Sequence, residues 1–162
     1  IIKFKRMVVM ITEYILNAIF AAIPALGFAM VFNVPKHALI YCAFGGAIAY
    51  TSRIILQDLD VPLELATFLA STIIGIVALY WSRKFIIPRP VYTIASIIPL
   101  LPGTFAFSAI INLIEMNAHG VTPELINLFI ENGLKTIIIL GGIGLGLAFP
   151  SLYNIRYNRA IS

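Results

Sequence analysis

The chain has one cysteine and few charges. Cys42 has no second thiol to pair with, so neither a disulfide framework nor a Cys-based zinc site can be built. The two histidines, His37 and His119, fall in separate loops without carboxylate companions at ligand spacing, which removes the usual metal sites. Charged residues make up 11% of the 162, against roughly 25% in soluble domains. The formal net charge of +4 is spread over short basic clusters rather than a stripe, so nucleic acid is not an expected partner. The glycine-rich run Gly141, Gly142, Gly144, Gly146 has no Lys-Ser/Thr after it and is no phosphate loop. No nucleophile and base pair can be assembled either, so neither an enzyme nor a cofactor is expected.

Apolar residues are abundant instead, at 60%. They gather into five segments, Met7 to Phe32, Ala38 to Leu56, Leu63 to Trp81, Val91 to Ile114 and Glu124 to Phe149. Each is close to the ~20 residues that cross a hydrocarbon core. Open strands cannot satisfy their backbone in lipid and no barrel alternation is present, so the expected fold is all-α. It is a single membrane domain over 1–162, a polytopic bundle of about five transmembrane helices. Lys3, Lys5 and Arg6 imitate the start of a signal peptide, but no A-x-A-like cleavage site follows and the first segment reads as a retained helix. Thr122-Pro123-Glu124 supplies N-cap, N1 proline and a dipole-complementing acid to open the fifth segment. Tyr80 and Trp81 beside Arg83 and Lys84 read as an interface anchor, as do Tyr153 and Tyr157 beside Arg156 and Arg159.

Five crossings put Lys36, Arg83, Lys84, Arg89, Arg156 and Arg159 on one side, so the positive-inside rule predicts a cytoplasmic C-terminus. A four-crossing alternative, in which Ala38 to Leu56 fails to span, gathers Lys3, Lys5 and Arg6 on the same side and fits the charges better. Five is preferred because that segment is apolar around nearly its whole circumference and lacks the polar face of an interfacial helix.

The fourth segment contains IIPLLPGTF. Pro99 and Pro102 each remove an N–H and clash with the preceding turn, and Gly103 frees the backbone, so the helix is expected to break at Pro99 to Gly103. Counted from Val91 the break falls ~12–18 Å into the core, near the midplane. A new half-helix opening at Pro102 leaves the N–H groups of Gly103, Thr104 and Phe105 as an anion site. Thr104, Ser108 and Asn112 follow at steps of four along one face, and Thr93 and Ser96 offer polar groups on the preceding half. The bland alternative is a proline kink whose Ser and Thr bond back to their own helix.

Charges at membrane depth cost ~2.5–3.5 kcal/mol on insertion scales and so need a partner or a purpose. Glu131 and Lys135 are spaced to pair on one helix face, as a neutralised pair near the start of the helix or as part of a transport path. Arg53 either snorkels to the interface or serves as counter-charge for an anionic substrate, with Tyr50 on its face. Glu13 reads as interfacial.

The runs AAIPALGFAMVFNVP (Ala21 to Pro35), YTSRIIL (Tyr50 to Leu56), WSRKF (Trp81 to Phe85) and IIPLLPGTFAF (Ile97 to Phe107) resemble the small YjjB-like subunit of the ThrE threonine/serine exporter family. The resemblance covers nearly the entire chain. It implies a bacterial inner-membrane exporter of small carboxylate metabolites, threonine and serine or succinate-like dicarboxylates. It also implies a larger YjjP-like membrane subunit as partner, with higher oligomers an open option. The alternating-access mechanism expected here binds substrate carboxylate at Pro99, Pro102, Gly103 and Thr104, with Ser108 and Asn112 behind and Arg53 or Lys135 assisting. The rival reading is a non-transporting subunit that supports a path lying in the partner.

Overall fold

A computed structural model of the chain describes residues 2–159, and their side chains from Met10 to Leu152. The side chains of Lys3, Lys5, Arg6, Tyr153, Arg156, Tyr157 and Arg159 therefore lie outside the described residues. The described chain is helical throughout: α1 (Ile2–Val31), α2 (Lys36–Asp58), α3 (Leu63–Phe85), α4 (Arg89–Ser96), a 3-10 turn (Ile98–Leu100), α5 (Gly103–His119) and α6 (Pro123–Arg159). Four stretches are long and apolar enough to cross a membrane, Met10–Val31, Lys36–Asp58, Leu63–Phe85 and Pro123–Leu152. A fifth is the bent pair Arg89–Leu100 and Gly103–His119, which meet at 59°. Ala38 to Leu56 falls inside α2, a continuous 23-residue helix whose composition and length suit a crossing.

Prolines set the starts. Pro35, Pro62 and Pro88 stand immediately before α2, α3 and α4 with extended ψ of 139°, 144° and 133°, where their missing N–H leaves no helix bond unmade. The predicted cap of α6 forms, with Leu125 N–H donating to Thr122 Oγ1 at 3.3 Å. Helices α1 and α2 run antiparallel. Tyr14, nearly midway along α1, reaches Asp58 at the end of α2, while the 33–35 turn joins the two helices at their other ends.

Apolar side chains gain little from meeting each other in lipid, so close backbone approach between small residues must hold such a bundle together. Its most buried positions accordingly include Ala25, Ala29, Ala49, Ala66, Ala70 and Ala78. Gly46 lies against Ala25 and the Ala21 carbonyl of α1, and Gly45 against Ser96 of α4. Gly146 packs on Ser71 and the Phe68 carbonyl of α3, and Gly142 beside it on Glu64 and Phe68. The glycine run of α6 is thus only half used in packing: side chains added at Gly141 or Gly144 would meet nothing within 4 Å. Trp81 is likewise more than an anchor. It is half-buried, its ring centroid 5.3 Å from Tyr41 and 5.8 Å from Tyr92, while Tyr80 faces outward.

The long α6 is offset from its neighbour. Gly142 lies beside Glu64, at the beginning of α3, and Pro150 beside Gly75. The part of α6 before about residue 138 therefore runs past the start of α3 and pairs with α5, which packs along α6. At the other end, Arg89 of α4 donates to Ser151 Oγ and the Leu147 carbonyl and ties α4 to α6.

Candidate substrate groove and the broken helix

Helix α4 closes normally, with Ile97 N–H donating to the Thr93 carbonyl at 3.1 Å. The 3-10 turn then tightens the chain through Leu100 N–H to Ile97 O (2.9 Å) and Leu101 N–H to Ile98 O (3.2 Å). Pro102, at φ −81° and ψ 51°, has inverse γ-turn geometry, and Gly103 N–H donates across it to the Leu101 carbonyl at 2.9 Å. This corrects one expectation: Pro102 caps α5 from outside, and the Gly103 N–H is already spent. Thr104 and Phe105 are left as the donors at the uncapped end of α5.

A break also leaves carbonyls without helical donors, and α2 supplies what they need. Arg53 donates from Nη1 to the Leu100 carbonyl at 3.0 Å and from Nη2 to the Pro99 carbonyl at 3.3 Å. Its guanidinium carbon sits 4.8 Å from the centre of the Tyr50 ring, a cation–π distance. Arg53 is therefore neither free at the interface nor an uncommitted counter-charge: it clamps the broken span.

Two adjoining cavities lie on the α1–α2 side of this clamp. The outer one, about 340 Å³, is lined by Met10, Glu13, Tyr14, Asn17, Ile54 and Asp58. The inner one, about 250 Å³, is lined by Asn17, Phe20, Ala21, Pro24, Tyr50 and Pro99. Asn17 belongs to both, so together they form a groove from the Asp58 end of the bundle to the first proline of the break. Pro24 interrupts the α1 bonding pattern opposite Pro99, so two proline-altered backbones face each other across the inner cavity.

Of the predicted site residues, Pro99 lines the groove and Arg53 braces it, but the others lie elsewhere. Gly103 and Thr104 are exposed on the far side of the break, Ser108 is half-buried and Asn112 is buried along the α5–α6 contact. The steps of four wind this polar row progressively into α6 rather than around a pocket, and none of these residues lines either described cavity. Thr93 and Ser96 follow the bland alternative, donating to the Arg89 carbonyl (3.4 Å) and the Tyr92 carbonyl (2.7 Å) one turn back. Gly103 needs no left-handed φ, and a methyl group there would meet nothing within 4 Å. Gly103→Ala is accordingly expected to leave the thermal melting of the detergent-solubilised chain unchanged, within about 0.5 kcal/mol. A clear destabilisation would show that this glycine is structurally required.

Glu131 and Lys135 form the predicted pair at 2.7 Å with both side chains exposed, and Lys135 Nζ lies 5.5 Å from the centre of the Phe105 ring. That places a cation near the uncapped end of α5, but neutralised by its own helix. Sequence reasoning missed Tyr14, Asn17, Pro24 and Asp58. A signal was present, because Glu13, Tyr14, Asn17 and Pro24 share one face of α1 at helical spacing.

Apolar helices of membrane-crossing length around a discontinuous span define a multi-pass membrane protein. Residues 17–153 match the sequence model of the family described as Threonine/Serine exporter, ThrE, and the chain belongs to that family of export transporters. No solved structure matches it.

Proposed function

We propose that the chain is the small subunit of a two-chain exporter and that the α1–α2 groove is its part of the substrate path. The observation that carries this reading is that the inner cavity ends on Pro99, whose carbonyl Arg53 holds, and on Tyr50, whose ring lies against the Arg53 guanidinium. Substrate bound there touches the helix discontinuity and an aromatic ring, with a cation directly behind. Movement of Arg53 off the Pro99 and Leu100 carbonyls would let α4 and α5 pivot, which supplies the two states of alternating access.

The substrates are small carboxylates, threonine and serine or succinate-like dicarboxylates, attracted by Arg53 at the inner end. The partner is a larger YjjP-like subunit, which completes the wall that this chain leaves open beside Thr104 and Lys135. The complex sits in the bacterial inner membrane with the C-terminus of this chain cytoplasmic, the side to which Lys36, Arg83, Lys84 and Arg89 belong. A second reading, in which this chain only supports a path in its partner, draws on the exposed outer face of α5 at Phe107, Ile110 and Ile114.

Counterflow of labelled threonine, serine and succinate through the reconstituted complex separates the two. Asn17→Leu fills the junction of the cavities and is expected to lower counterflow at least tenfold while the complex still assembles. Unchanged rates and selectivity would assign the path to the partner.

A further inference from the structure

Two helical projections leave the bundle at the same end. Helices α2 and α3 are each 23 residues long, about 34 Å, and match a ~30 Å hydrocarbon core by themselves. Because Tyr14 meets Asp58, about 18 Å of α1, Ile2 to Glu13, lies beyond the end of α2. Because Gly142 meets Glu64, the part of α6 from Pro123 to about residue 138 lies beyond the start of α3, about 22 Å with α5 packed along it. A bilayer fitted to α2 and α3 does not reach along this hairpin, yet Ile111, Leu113, Ile126, Leu128 and Ile130 are exposed on its two helices. Apolar surface of that kind calls for a protein cover.

The identity of the cover follows from charge and placement. The start of α1 carries Lys3, Lys5 and Arg6 ahead of the apolar run Met7 to Ile11. The hairpin tip carries Glu115 and Glu124, and no Lys or Arg occurs between Arg89 and Lys135. Its third acid, Glu131, is already paired with Lys135. Helix α1 packs on α2, α2 on α3, α3 on α6 and α6 on α5, so the basic and acidic projections of one chain stand at opposite ends of this order. We propose that the α5–α6 tip docks on the first half of α1 in a second copy of this chain, apolar faces together and Glu115 and Glu124 against Lys3, Lys5 and Arg6. The contact is heterologous, so each copy offers one edge and receives the other. It leaves free the start of α5 at Thr104 and Lys135, where the larger subunit belongs, and it does not depend on where the substrate path lies.

Cross-linking in native membranes tests the contact. Two full-length chains with different tags are co-expressed, both carrying Cys42→Ala, one with Met7→Cys in α1 and the other with Val121→Cys at the exposed hairpin tip. A short bis-maleimide is expected to join the two tags. Glu115→Lys with Glu124→Lys in the second chain should lower that product about tenfold at equal membrane levels, since like charges then face each other. Lys3→Glu with Lys5→Glu in the first chain should restore it. No product between the tags, a product that ignores the charge reversals, a loss that the second reversal does not rescue, or Val121→Cys joined to a different membrane chain instead would each overturn the proposal.

Discussion

Arg53→Met should loosen the broken span more than any other single side-chain truncation. The substitution keeps a long apolar stem but leaves the Pro99 and Leu100 carbonyls without donors where water is scarce. An unsatisfied buried acceptor costs about 1–3 kcal/mol, so two of them, partly offset by relief from burying a guanidinium, give a net loss of about 2–4 kcal/mol. Arg53→Lys should recover only part of this, because an ammonium on a flexible stem lacks the planar fork that reaches two neighbouring carbonyls at once. Thermal melting of the solubilised chain reads both variants, and counterflow should fall in parallel. Should Arg53→Met melt like the parent, the clamp is not what holds the break.

The second large effect belongs to Gly146. A Cβ there would lie 2.6 Å from the Phe68 carbonyl oxygen and would also strike the Ser71 hydroxyl. The hydroxyl can rotate away, but the carbonyl is backbone, so α3 and α6 must separate. Gly146→Val should therefore destabilise by about 3 kcal/mol, the upper end of ordinary overpacking. Gly144→Val, two residues earlier, points where nothing lies within 4 Å and is the matched control. Equal melting temperatures for the two variants would refute the α3–α6 contact described above.

Hydropathy located the helices because each span had to be apolar along its whole length, and that is a local property of the chain. The break was legible for the same reason: a proline acts on its own turn whatever surrounds it. Arg53 was legible as a charge in an apolar run, but not as a clamp, since its acceptors lie 46 and 47 residues further on. The row Thr104, Ser108, Asn112 shows the limit of periodicity. Spacing along one helix does not say that the row runs from exposed Thr104 to Asn112 buried against α6, away from the cavity. Glu13 was set aside as interfacial, which hid the polar stripe it begins; only the pairing of α1 with α2 turns that stripe into a groove wall.

The separation between Arg53 and its acceptors also bears on how the chain is made. At about 5–20 residues per second, a ribosome needs roughly 2–9 s to extend from Arg53 to the 3-10 turn. During that interval α2 carries a guanidinium with no carbonyl to receive it, which disfavours deep insertion by ~2.5–3.5 kcal/mol on insertion scales. The ambiguity in counting charges over Ala38 to Leu56 thus has a counterpart in biogenesis. Helix α2 is therefore expected to settle fully into the bilayer only once α4 and its proline turn arrive beside it.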